Sequence, residues 1–123
     1  MKLGVRMLQI ASFYFVVGVV MGMGMSMTDH YELSPVHVHL NLIGWVSMAI
    51  GGLVYCRFPE AAGLLGKLHF WMHNIGVPLM MGGLTALIFG ATGLLLFVPI
   101  GGVLIVLGTI LFFANVVRNI RAA

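Results

Sequence analysis

The polar positions along this chain are so sparse that they punctuate one apolar text. Four apolar stretches stand between them, from about Met7 to Met27, Val36 to Cys56, Leu68 to Phe89 and Leu95 to Val117. A helix rises about 1.5 Å per residue, so crossing a hydrocarbon core of ~30 Å takes about 20 apolar residues. Each stretch meets that length, and the pattern predicts four transmembrane helices. The first is longer than the apolar part of a secretory signal and no A-x-A-like site follows it, so it reads as a retained span.

The punctuation marks helix ends and seams. Ser34 is the expected N-cap of the second helix, with Pro35 at its first position. Pro78 predicts a kink in the third helix. Gly18 and Gly22 form a small-xxx-small pair in the first helix, and Gly101, Gly102 and Gly108 recur in the fourth. Small residues let helix backbones approach closely in lipid. The methionines in Met21-Gly22-Met23-Gly24-Met25-Ser26-Met27 diverge around a helix, so a packing role outweighs a soft-metal box.

Composition agrees with lipid as the solvent. Of 123 residues, 61% are hydrophobic and 7% charged, and the mean hydropathy is +1.12. A soluble domain carries about 25% charged residues. The length predicts one domain, residues 1–123. A formal net charge of +3 is too small to suggest nucleic acid, and Cys56, the sole cysteine, excludes an internal disulfide. The basic residues Lys2, Arg6, Arg57, Lys67, Arg118 and Arg121 all fall on one side of a four-span topology. The loop from Thr28 to Pro35 holds Asp29 and Glu32 and no Lys or Arg. The positive-inside rule then puts both termini in the cytoplasm.

Five histidines carry the candidate chemistry: His30, His37, His39, His69 and His73. Ionisable residues inside a membrane are costly and mark function by default. His37 and His39 are two positions apart, about 200° around an α-helix. Their rings leave opposite flanks, so one helix cannot direct both at a single ion. Each can serve a different site, and haem is a planar, apolar ligand whose iron takes axial imidazoles. The alternative is a pair of structural histidines bonded to backbone carbonyls or to Asn41. His69 and His73, at i and i+4, share one face of the third helix. They stand some 15–20 Å deeper than the first pair by helix rise, too far to share an iron. They are a candidate proton or quinol site, or structural groups held by Asn74 or carbonyls. His30 lies in the outer loop. No acidic residue lies in a predicted span, and no nucleophile has an arranged base, so neither a carboxylate proton pump nor a hydrolase is indicated.

The segment His37-Val-His-Leu-Asn-Leu-Ile-Gly-Trp-Val-Ser-Met-Ala-Ile-Gly-Gly-Leu-Val-Tyr-Cys-Arg-Phe-Pro59 resembles the tenth helix of haem-copper oxidase subunit I, which opens with H-x-H, carries paired glycines and ends in F-P. Gly66-Lys-Leu-His-Phe-Trp-Met-His-Asn-Ile-Gly-Val77 is similar to the start of that family's eleventh helix, and the nitric-oxide reductase branch is similar too. The resemblance covers Ser34 to Leu84. The family's subunit has twelve helices in three arcs of four, so the resemblance implies that this chain is a single arc of the ring, corresponding to helices nine to twelve. Three copies would rebuild it as a homotrimer, closed by cyclic symmetry.

In the family a low-spin haem sits between arcs. His37 matches one axial position and His39 the other, so the resemblance implies that each interface receives His37 from one copy and His39 from its neighbour. Up to three b-type haems follow, with Asn41 and Gly44 beside the ligands and small residues such as Gly51 and Gly52 admitting the porphyrin or partner helices. The family's further copper histidines are absent, as are its cross-linked tyrosine motif and the arginine pair after its eleventh helix, so no copper is expected. The implied function is a membrane b-type cytochrome that transfers electrons, with quinol or a redox protein as partner, in a bacterial inner membrane. The alternatives are a haem enzyme or sensor that binds oxygen or nitric oxide, and a non-haem structural or assembly subunit.

Overall fold

The computed structural model describes residues 2–122, and among them every regular element is helical. Helix α1 spans Lys2–Thr28, α2 Ser34–Arg57, α3 Leu64–Ile88 and α4 Phe97–Asn119. A single 3-10 turn, Pro59–Ala61, joins α2 to α3. The four apolar stretches are therefore the four helices, shifted by a few residues at their ends.

Helices α1, α2 and α4 are each long and apolar enough to cross a membrane. Helix α3 has the length, at 25 residues, but Lys67, His69, His73 and Asn74 dilute its first half. Large apolar side chains face outward on several helices: Phe13 is 62% exposed, Val20 63% and Phe113 70%. Exposed apolar surface on this scale needs lipid or another protein to cover it.

The helices pack as two pairs, α1 on α2 and α3 on α4. Glycines set both crossings. A Cβ on Gly4 would stand 2.5 Å from the Gly52 carbonyl oxygen, and one on Gly101 would stand 2.6 Å from that of Gly76. Backbone atoms cannot yield as a side chain can, so these positions admit no larger residue without moving a helix. The pairs then meet around a core of fully buried side chains that includes Met7, Met48, Tyr55, His73, Val77 and Asn115.

Lys2, Arg6 and Lys67 line one groove and Arg57 and Arg121 another, with Arg118 in the last turn of α4. All six basic residues thus gather at one end of the bundle. At the opposite end, α1 and α3 close in the same way. Asp29 (φ 55°) and Gly90 (φ 84°) take the left-handed conformation just past each helix. The next amide bonds back over the turn, His30 N–H to the Met25 carbonyl and Ala91 N–H to that of Ala86, which satisfies carbonyls that would otherwise be orphaned.

Two local expectations are corrected. Ser34 is not the N-cap: it is the first residue of α2, and Leu33 precedes it with no side-chain cap. The Ser34 hydroxyl instead donates to the Tyr31 carbonyl at 2.8 Å, and Pro35 in the first turn removes one of the amides a cap would serve. The second correction is larger. Helix α2 is α-helical over Ser34–His39, π-helical over Leu40–Val46 and α-helical again over Ser47–Arg57. Nothing in the hydrophobic pattern distinguishes a π-turn, which adds one residue to the circuit.

Candidate functional site

His37 and His39 sit in the last α-helical turn of α2 before the π-segment, at the end of the bundle away from the basic residues. The α-helical angle between them therefore applies, and they face different surroundings. The His37 ring points at α1. Its Nδ1 lies 2.8 Å from the Gly18 carbonyl oxygen, and a Cβ on Gly22 would stand 2.8 Å from its Cε1. The small-xxx-small pair thus opens a slot for an imidazole as well as for a backbone. His39 turns outward, half-exposed, with Nδ1 at 2.6 Å from the Pro35 carbonyl oxygen.

A carbonyl only accepts, so in both rings Nδ1 carries the hydrogen and Nε2 carries the lone pair. Asn41 donates to the His37 carbonyl at 2.9 Å. Its amide nitrogen also comes within 3.3 Å of His37 Nδ1, a contact rather than a second bond, since both atoms bear hydrogens. Gly44 does not open outward: a Cβ there would stand 3.0 Å from Tyr14 of α1. Gly51 and Gly52 likewise admit helices of the same chain, Gly51 meeting Met7 and His69, and Gly52 meeting Gly4.

The second pair is built differently. His69 and His73 are 2% and 1% exposed, with ring centroids 5.5 Å apart and planes at 85°. His69 Nδ1 is 2.7 Å from the Tyr55 hydroxyl of α2, and its ring packs on Phe112 of α4 at 4.9 Å. Asn115 stands close to the same tyrosine and donates to the Ala61 carbonyl at 2.7 Å. Asn119 donates to Asn115 Oδ1 at 2.7 Å. A file of polar groups therefore climbs from the basic end through Asn119, Asn115 and Tyr55 to His69.

His73 continues toward the outer end. Its Nε2 is 2.7 Å from the Ile43 carbonyl oxygen, while its Nδ1 is buried with no hydrogen-bond partner. Of the two partners that a structural role would use, Asn74 or carbonyls, His73 has a carbonyl, and Asn74 donates to the Phe70 carbonyl of its own helix. Ile43 is six residues past His37, about 9 Å at an α-helical rise, so His73 lies nearer the outer pair than the 15–20 Å expected from helix rise alone.

Tyr55, Asn115 and Asn119 carry this interior file and were not singled out by sequence. Asn115 and Asn119, at i and i+4 in an apolar span, are the one pattern that signals it. Among the described residues no group of three or more His, Cys, Asp or Glu converges as a metal cage. His30 stands outside both pairs, exposed in the outer loop, with Nδ1 3.5 Å from Glu32. Compared with protein-family models, with curated proteins and with solved structures, the chain matches none.

Proposed function

We propose that this chain is a four-span integral membrane protein that assembles as a homotrimer and binds b-type haem between copies, with His37 of one copy and His39 of the next as axial ligands. The observation that carries the reading is the matched state of the two imidazoles. Each spends Nδ1–H on a carbonyl of its own chain, at 2.8 Å and 2.6 Å. Each therefore keeps the Nε2 lone pair, and the carbonyl bond fixes the ring orientation and raises the basicity of that nitrogen. The two rings lie on different flanks of α2, so a copy offers its two nitrogens to two different neighbours.

Other features fit. The exposed apolar side chains of α1, α2 and α4 provide surface for lipid or for sister copies. A twelve-helix ring of three four-helix arcs would cover part of it. The basic residues at one end give the N-in, C-in orientation, so the histidine pair belongs at the outer leaflet. That end offers no Lys or Arg, which leaves His30 as the nearest cation-forming side chain for a porphyrin's acid groups.

An iron held by two histidines supplies one-electron transfer with no open coordination position. The protein's part is to orient His37 through Gly18, to orient His39 through Pro35, and to exclude water with the apolar seam. The polar file from Asn119 to His69 begins at the basic end, where a membrane quinol or redox protein is the class of electron donor that fits. The test is the absorption spectrum of protein purified after haem-replete expression, read beside its native mass in detergent. We expect a six-coordinate low-spin spectrum in both redox states on a trimer. A colourless trimer supports the structural-subunit alternative, a carbon monoxide shift in the reduced form supports the gas-binding one, and a haem-loaded monomer refutes the shared site.

A further inference from the structure

The π-segment of α2 leaves one carbonyl without its helical donor, and a histidine from another helix takes that donor's place. Leu40 N–H bonds the Val36 carbonyl, four residues back. Ser47 N–H bonds the Leu42 carbonyl, five residues back, and the Ser47 hydroxyl donates to the same oxygen at 2.7 Å. In an unbroken α-helix Ser47 N–H would serve Ile43. That partner has moved on, and His73 Nε2–H of α3 reaches the Ile43 oxygen at 2.7 Å. A carbonyl with no partner is strongly disfavoured away from water, so something must fill this place for the π-turn to persist.

We propose that His73 is the positioning residue that holds the π-turn of α2 and thereby sets the direction in which His37 and His39 point. A π-turn acts as one residue inserted into an α-helix. If it relaxes to α-helix, all of α2 on its outer side turns by one residue relative to the rest, about 100°. His37 would then leave the slot at Gly18 and Gly22, Asn41 would leave Gly18, and His39 would face a new direction. The buried, partnerless Nδ1 of His73 agrees with this role. The ring is oriented by what Nε2 must reach, and no second bond competes for it. Helix α3 packs closely on α4 nearby, where a Cβ on Gly108 would stand 3.3 Å from Met72 Cβ and 3.7 Å from the His73 amide nitrogen.

The proposal rests on the haem reading for its consequence but not for its geometry, and the experiment keeps the two apart. Gln can carry an N–H to the place of Nε2, whereas Asn reaches only the place of Nδ1. The variants are His73→Gln, His73→Asn and His73→Leu. The haem-independent readout is a disulfide between Gly18→Cys and Asn41→Cys, with Cys56→Ser. These positions face each other, since a Cβ on Gly18 would stand 2.8 Å from Asn41 Oδ1. We expect the cross-link to form with His73 and with His73→Gln, and to fall to background with His73→Leu and His73→Asn. In the unsubstituted background the low-spin spectrum follows the same order. If His73→Leu does not accumulate in the membrane, the comparison of Gln with Asn decides. A cross-link equally strong in Gln and Asn variants overturns the positioning role. A wild-type protein without haem overturns the cofactor reading and leaves the cross-link result to judge this one.

Discussion

The two histidine pairs differ in how deeply their rings are enclosed, and His73 alone bonds through Nε2. At the outer end His37 and His39 each give Nδ1–H to a carbonyl, and neither ring is fully buried. In the interior His69 gives Nδ1 to Tyr55, and His73 gives Nε2 to Ile43 and is left with a nitrogen facing only protein. Both pairs sit in apolar helices, and hydropathy alone would rank them as equal anomalies. What separates them is reach. In the proposed trimer a lone pair at a seam between copies would be available to a metal, whereas one enclosed by α2, α3 and α4 serves the fold. Residue type identifies the anomaly, and burial is what separates the two pairs.

The strongest way to break this comparison is to divide the outer pair between two chains. His37→Ala and His39→Ala should each remove bis-histidine ligation completely. Copies of the two variants, co-expressed with different tags and purified through both, form mixed rings. Every such ring has one interface with His37 on one side and His39 on the other, so the low-spin spectrum should return at about one third of the native haem per trimer, by threefold symmetry. If neither single variant loses the native spectrum, the outer pair is structural and the contrast with the interior pair disappears.

A smaller effect is expected from the slot that holds His37. The Cβ of Gly22→Ala must displace the ring tip, from which it would otherwise stand 2.8 Å. A side chain can swing where a backbone cannot, so the helix should survive while the imidazole moves. We expect a partial loss of the low-spin species with Ala and a nearly complete loss with Gly22→Leu, at unchanged helix content by circular dichroism. An unaltered spectrum with Leu would mean that the orientation against Gly18 does not matter to ligation.

The four helices were legible because a bilayer imposes length and apolarity, and both are written residue by residue. The opposite flanks of His37 and His39 were legible too, because those two residues lie in a true α-helical turn. The interior was harder. The π-segment over Leu40–Val46 leaves no periodic mark in a span that is apolar on every side. The pairing of His73 with Ile43 joins residues thirty apart, and only tertiary packing brings them together. Tyr55 read as one more apolar residue near a helix end, although its hydroxyl is the link to His69. The glycines of α2 were legible as sites of close approach, but not that α1 of the same chain makes the approach at Gly44 and Gly52.

The smallest effect is the one that isolates the interior pair. Tyr55→Phe keeps the ring that packs edge-on against Phe112 and removes only the hydroxyl that pairs with His69. Hydrogen bonds between membrane helices contribute ~0.6 kcal/mol on average and up to ~1.7. The deletion also leaves a buried ring nitrogen unpaired, which places the loss toward the upper end, about 1.5 kcal/mol. Thermal unfolding in detergent should show a modest fall in Tm, while the haem spectrum stays native because no ligand or carbonyl of the outer pair has moved. A spectral change without loss of stability would couple the polar file to the outer histidines directly. The division into a ligating pair and a structural pair would then give way to one continuous network running the length of the bundle.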